Sequence, residues 1–423
     1  MDQTVANLTN DQPSDIMDLA QWLLKEGLQG ASQEDVLQGY CERLRALNVP
    51  VMRVHVAQSA YHPRYGGVGF EWRKDTGVQT QHYAHTSSPV EAWLKSPLYH
   101  LLQTRETELR IRLEDATPGR IPFPLLRDLQ AEGGTDYFAM GLLLTRPDPE
   151  RDGAYDPENS PEGVLMSWTT DQPGGFSDAD LGQLRMVLPY LGLALKSASN
   201  RKIAEQLLGV YLGADAGARV LSGEIARGSL QEIHAVICYF DLTGFTSLSE
   251  KTPGAQVIEA LNDYFALVVA AIEGHGGHVL KFMGDGLLAM FDNGDNREDA
   301  FAALAAAAEI ARAFESTNAR RASEGVPVMD YTLALHAGEL LYGNIGAQDR
   351  LDFTAIGPSV NLTARLGDMH RALGQSIILS QPVFEAAQGA PHTLVSLGRY
   401  ALRGITEPQE LYTIHQPGGV VKS

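Results

Sequence analysis

The segment Ala235–Asp241, AVICYFD, is a nearly unbroken apolar run that ends on a carboxylate. Such a run reads as a buried strand, and an ionisable group at its tip is poorly explained by packing. The LTGFTSLSE that follows places the turn Thr243-Gly244-Phe245-Thr246 at a helix start, where free backbone N–H groups can hold phosphate oxygens. Further on, KFMGDGLLAMF sets Asp285 between Gly284 and Gly286, a pattern for a tight β-hairpin with the carboxylate at its tip. Periodicity around these points predicts the strand IHAVICYFDL, a helix over Gln256 to Glu273, and the strand pair HVLKFM and LLAMF. A long Ala-rich helix over about Arg297 to Glu324 follows, then strands at YTLALHAGE and LLYGNIG and further αβ units. That order is a βαββαβ skeleton, an α+β sheet covered by helices on one face. In it, the end of the first strand and the hairpin tip lie side by side. Two carboxylates there suit hard divalent cations, which take oxygen ligands and share them with phosphates. Either aspartate alone would pass for a turn or capping residue. The pair, in this order, marks a site.

Three segments, FDLTGFT, KFMGDG and FTAIGPSVNLTARL, resemble the signature segments of class III adenylate and guanylate cyclases, in the family's order, within residues 232–415. The resemblance implies a ferredoxin-like βαββαβ catalytic domain that makes a cyclic nucleotide. It implies two divalent ions per active site, Mg²⁺ or Mn²⁺, held by Asp241, Asp285 and the backbone carbonyl of Leu242. Lys281 matches the family's base-selecting lysine, whose ammonium can donate to adenine N1 where guanine would need an acceptor. Thr354 stands where many members carry Asp and a bacterial subgroup carries Thr, and its hydroxyl can accept from the adenine 6-amino group. This Lys/Thr pair resembles the adenylate cyclase subgroup, with ATP as substrate. Asn361 and Arg365 lie one helical turn apart on NLTAR and share a side. By resemblance Asn361 orients the ribose and Arg365 stabilises charge on the transferring phosphate. Arg403, in ALRGITEP, matches a basic residue at the terminal phosphates. Pro358 departs from the family, which often has an acidic residue there, but it falls in a first helical turn that tolerates proline. Relatives work as head-to-tail dimers, which implies a homodimer with two shared active sites. A guanylate cyclase and a catalytically silent nucleotide-binding regulator stay open as alternatives. Diguanylate cyclases share the general sheet layout, but their G-G-D/E-E-F turn is absent, with Met283-Gly284-Asp285-Gly286 in its place.

The other half reads as a separate α+β module. Residues 1–13 are polar and acidic, a leader with no basic start or apolar stretch, expected to be disordered. Amphipathic helices are expected over Asp15 to Leu28 and Ser32 to Leu47, the second opened by a Ser32/Asp35 capping box. Strands are expected at VMRVHVAQSA, GFEWRKD, TELRIRL, DYFAMGLLLTR and GVLMSWTTD, with helices near 89–103 and 122–132. The stretch Pro147 to Gly163 reads as a surface loop. Residues 14–198 resemble a GAF-like sensory domain in layout: strand, strand, an F-S-D-x-D turn and a terminal amphipathic helix. That likeness implies a regulatory ligand whose identity no motif defines. A helical period runs on from FSDADL for about ten turns, with a cap at Ser177 and Asp180 and a kink or break expected at Pro189. Residues 199–231 are assigned to a helical linker and 416–423 to a tail. Trp72, Trp93, Trp168 and Tyr61 fit either a pocket or a core, core being the commoner use. His55, His62, His82, His85 and His100 show no helical spacing that would suit haem or a metal.

Composition narrows the partners. A formal charge of −19 argues against a nucleic-acid surface, which needs a basic stripe. No run of 18 or more apolar residues reads as a membrane span. Cys41 and Cys238, far apart in the chain, make no disulfide framework, and a cytoplasmic setting fits them.

Overall fold

The computed structural model describes residues 15–85, 90–144 and 163–415. The leader 1–13, the loop from Pro147 as far as 162, the tail 416–423 and the Tyr61 side chain lie outside the described residues. The chain divides into two compact units, one ending at Leu207 and the next beginning at Leu208.

The first unit opens with helices α1 (Ile16–Gln29) and α2 (Gln33–Ala46), followed by strands β1 (Arg53–His62), β2 (Tyr65–Arg73) and β3 (Gly77–Ala84). Short helices α3 (Glu91–Leu94) and α4 (Pro97–Thr104), strand β4 (Glu108–Arg112) and helix α5 (Pro124–Ala131) come next. Strands β5 (Asp136–Leu143) and β6 (Gly163–Thr170) and the 35-residue helix α6 (Asp178–Leu212) complete it. The sheet is antiparallel in the order β3-β2-β1-β6-β5-β4. Val54 and Val56 of β1 pack with Leu19, Leu23, Leu37 and the α6 leucines on one face. Leu98, Leu101, Leu126 and Leu129 cover Tyr137 and Ala139 on a second cluster. Trp72 and Trp168 are core residues, and Trp168 donates to the Tyr40 hydroxyl at 3.1 Å. Trp93 packs edge-on to Tyr99. His62 and His82 both contact the Tyr65 ring, a meeting of three strands that helical spacing could not reveal. Among the described residues no group of three or more His, Cys, Asp or Glu side chains is arranged to hold a metal.

Helix α6 runs through Pro189 without the expected break. Leu181, Leu184, Leu188, Leu191 and Leu195 are all buried along one stripe while Pro189 faces solvent. Each buried leucine contributes about 1.5–3 kcal/mol, so five of them outweigh the cost of about 3 kcal/mol for one internal proline.

The second unit begins with α7 (Ala214–Leu221), β7 (Leu230–Thr243), α8 (Phe245–Lys251) and α9 (Gly254–Gly274). The hairpin β8 (His278–Met283) and β9 (Gly286–Phe291) follows, then α10 (Asn296–Ser323), β10 (Asp330–Ala347) and β11 (Arg350–Ile356). The chain ends through α11 (Pro358–Gly367), α12 (His370–Leu373), β12 (Ile377–Ser380), α13 (Gln381–Ala386), β13 (Leu394–Tyr400) and β14 (Gln409–Ile414). Sheet order is β13-β14-β12-β10-β7-β9-β8, with β11 folding back on β10. The four strands β10-β7-β9-β8, at one side of the sheet, form the ferredoxin-like arrangement of a βαββαβ unit.

Helices cover both faces, not one as the sequence suggested. Val236, Cys238, Phe240 and Leu242 of β7 face α9 and α10, whereas Ala235 and Ile237 face a second cluster that includes Ala216 of α7. Tyr239 packs toward Leu362 and Leu366 of α11. A run apolar on both sides of the pleat needs cover on both. The two strands expected at YTLALHAGE and LLYGNIG are one 18-residue strand, β10. Helix α9 is long and apolar enough to cross a membrane, yet it packs Val257, Ala260, Tyr264, Val268, Ala271 and Ile272 inward.

Candidate active site

The site forms where β7 meets the β8–β9 hairpin. Asp241 pairs with Gly286 across the β7–β9 ladder, and the Leu242 amide donates to the Asp285 carbonyl at 3.0 Å. Those contacts tie the strand tip to the turn. Met283 and Gly286 are partners, so Gly284 and Asp285 alone make the turn. Gly284 takes φ +71°, and Asp285 is spared a positive φ. At Gly286 a Cβ would lie 2.7 Å from the Phe240 carbonyl oxygen and 2.8 Å from Asp241 Oδ1. Only a glycine lets the hairpin press this closely against the carboxylate.

Both aspartates are half-buried. Burial first, and the nearby Asp285 charge second, push Asp241 up to about 6, while His370 on α12 pulls the other way. The Tyr239 hydroxyl is raised too, by burial and by the charges of Asp241, Asp368 and Asp285. Negative charge is thus concentrated around the end of β7. Asp368, just after α11, and His370, the first residue of α12, belong to its surroundings, and no sequence motif pointed to them. The donor set of two carboxylates and a strand-end carbonyl fits Mg²⁺ or Mn²⁺, which bind through one or two carboxylates and complete their shells with phosphates. Thr243 to Thr246 continue directly from this tip, with Gly244 at φ +84° before the first residue of α8.

A second group gathers on β8 and β11. Lys281 Nζ reaches Asp352 Oδ2 at 3.5 Å. Asp352 and Thr354 lie two apart on β11 and so share one face of the strand. Thr354 is 5% exposed, and its Oγ1 is buried with no hydrogen-bond partner. Asp352 was missed from the sequence, where it is one more acid in an ordinary strand.

Asn361 and Arg365 sit on α11, whose inward side carries Thr363, Leu366 and Gly367. Both are exposed on the other side, with Arg365 Nη1 3.3 Å from Asp368 Oδ2. Pro358 opens this helix at its first position. Arg403 is exposed in the β13–β14 connection, beside Leu402, which is buried with Leu366. One chain thus brings Asp241, Leu242 and Asp285 together, and links Lys281 to the Thr354 strand. It leaves Asn361, Arg365 and Arg403 facing outward with no contact to the carboxylates among the described residues.

Residues 229–416 match the family described as "Adenylate and Guanylate cyclase catalytic domain". An uncharacterized protein of Mycobacterium tuberculosis is 31% identical over 253 residues, 58% of this chain and 42% of that protein. The chain thus spans less than half the length of that curated relative. An adenylyl cyclase of P. aeruginosa of known structure is 24% identical, with a TM-score of 0.42 over 45% of this chain and 97% of that one. A guanylyl cyclase of known structure is 29% identical, with a TM-score of 0.39 over 45% and 94%.

Proposed function

We propose that the adenylate and guanylate cyclase catalytic domain at residues 229–416 converts ATP to 3′,5′-cyclic AMP and pyrophosphate, under control of the N-terminal unit. In the reaction the ribose 3′ oxygen bonds to the α-phosphorus as the bond from that phosphorus to the pyrophosphate oxygen breaks. Asp241, Asp285 and the Leu242 carbonyl would hold two divalent cations, which supply acidification of the 3′-hydroxyl and neutralisation of the triphosphate. Backbone N–H groups from Thr243 to Thr246 lie next to the carboxylates and suit phosphate oxygens. Asn361 orients the ribose, Arg365 meets the charge on the transferring phosphate, and Arg403 takes the terminal phosphates. Because positioning and charge carry such a reaction, no covalent intermediate is required.

The observation that supports a base site is Thr354, and the choice of base rests on Lys281, a donor only. The buried Thr354 hydroxyl has no partner, and an unpaired buried polar group is costly unless a ligand answers it. The adenine 6-amino group is a donor placed to do so, with Lys281 giving a proton donor to N1. Guanine offers a carbonyl and a protonated N1 at those positions, a poor match to Lys281. The test is incubation of the purified full chain with ATP or GTP and Mg²⁺ or Mn²⁺, with cyclic product measured. Cyclic AMP in excess over cyclic GMP is expected. Cyclic GMP as the main product would replace this reading with guanylate cyclase activity, and no product under any metal would leave a silent nucleotide-binding regulator.

A further inference from the structure

Strand β8 does not alternate as a regular strand does. Val279 pairs with Ala289, and both lie on the side of the α9 and α10 cluster. Lys281, two residues on, pairs with Leu288, whose side chain faces the α7 cluster. In a regular strand residues two apart share a face. The register shifts between Val279 and Lys281, a β-bulge in which Leu280 is the extra residue. Consecutive residues Leu280 and Lys281 therefore both lie on the α7 side. Leu280 is buried there in the cluster of Ala216 from α7, and Lys281 reaches Asp352 from beside it.

The bulge meets the corner between α6 and α7. Gly213 joins the two helices at φ +85° and ψ 160°, a conformation that is almost glycine's alone. A Cβ there would lie 2.7 Å from the Val279 carbonyl oxygen, on the residue that precedes the bulge. One turn on, a Cβ at Gly217 would lie 2.9 Å from the Leu208 carbonyl carbon and 3.0 Å from the Gly209 nitrogen. The last turns of α6, helix α7 and strand β8 thus meet with no side chain between them. The corner is anchored in turn. Arg219 pairs with Asp215 at 3.0 Å, donates to Gln231 of β7 at 2.9 Å, and lies over the Tyr342 ring of β10, 5.3 Å from its centroid.

We infer that Gly213 is a positioning residue for base recognition: the α6–α7 corner, seated on the Val279 carbonyl, holds the bulge that aims Lys281. The inference rests on Lys281 as the base reader of the proposed reaction. A larger residue at 213 must push the carbonyl away, and β8 yields first at the bulge, where its ladder is already broken. Base discrimination then falls, while the carboxylate end keeps the pairing of Asp241 with Gly286.

The test reads binding. The full chain with Mg²⁺ is titrated with the α,β-methylene analogues of ATP and GTP, whose bridging carbon the proposed reaction cannot displace. Gly213→Ala should lower the preference for the adenine analogue by at least about fivefold. Leu280→Ala, which loosens the bulge from α7 without crowding the corner, should act in the same direction. Neither should lower the preference further in a Lys281→Ala chain, because residues that act through one another are not additive. Gly223→Ala, also at positive φ (+100°) but with open space around it, should leave the preference unchanged. A cooperatively melting Gly213→Ala protein with the full preference overturns the inference, and so does a loss that adds in full to that of Lys281→Ala. Should Gly213→Ala fail to fold, the same two outcomes for Leu280→Ala decide. Equal binding of both analogues by the wild type overturns the inference by removing Lys281 as the base reader. An adenine preference without any cyclic product from ATP overturns the cyclase reading alone.

Discussion

The carboxylate pair depends on an atom that is missing. A Cβ at Gly286 would enter the space of Asp241 Oδ1 and of the Phe240 carbonyl, so Gly286→Ala must displace the strand tip or the carboxylate. Overpacking of this kind costs about 1–3 kcal/mol. Activity should fall further than stability does, by at least about tenfold, since a misplaced reacting group costs more in rate than in folding. Product assays beside urea melts separate the two. An alanine variant with full activity would show that the close approach of hairpin and carboxylate is not needed. A second residue sets a pH dependence. His336 on β10 is 7% exposed, 2.9 Å from Ser380 Oγ, and burial, with His234 adding, lowers it to about 4. Because the folded state resists the proton that the unfolded chain takes up near pH 6.5, stability is full above that pH and falls as the pH drops toward 4. The gap amounts to about 3 kcal/mol. Urea unfolding of the wild type should weaken between pH 7 and pH 4.5, and His336→Gln should flatten that loss. Equal slopes in the two proteins would remove His336 as the cause. Of the candidate site residues, the adjacency of Asp241 and Asp285 was legible because a charge ending an apolar run and a charge between two glycines both break a local rule. Asp352, Asp368 and His370 break none. They matter only through neighbours that the fold brings in from other strands and helices.

Elements were legible where a period was long and strongly patterned. Helix α10, expected over about 297–324, spans Asn296–Ser323, and α6 begins where Ser177 and Asp180 form a reciprocal capping box. That box is testable. Ser177→Ala should cost about 1 kcal/mol, measured as a lower urea midpoint for the first unit, and an unchanged midpoint would mean that the buried leucines alone set where α6 starts. Strand β3 was missed because its GVQTQHYA sequence is polar and, at the edge of its sheet, largely exposed. It is held by its ladder to β2, a pairing that sequence period cannot show. The join of two expected strands into β10 has a similar cause. Gly338 interrupts the apolar pattern, but both halves pair continuously with β7 from Asp330 to Gly343. At Pro189, where a kink or a break was expected, the helix is not broken, because the packing of its buried leucines outweighs one local breaker.

At the scale of the molecule, one chain carries both groups of residues of the proposed nucleotide site but does not bring them together. Asp241 feels Asp285 and His370, whereas Asn361 and Arg365 point away from the face by which α11 packs on the sheet. If the proposed reaction needs all of them around one ATP, the outward groups must come from a second copy, in a twofold pair with two equivalent sites. The two ends of the site are then separable by mutation. Asp241→Ala and Arg365→Ala should each abolish cyclic AMP formation alone. Mixed after co-expression, random pairing makes half the dimers heterodimers, and each of those retains one site with neither substitution. Recovered activity should therefore approach about one quarter of the wild-type value, by the closure rule for a twofold dimer. A mixture as inactive as its parents, with both variants folded and dimeric, would place the carboxylates and Arg365 in the same chain's site and require α11 to turn over during the reaction.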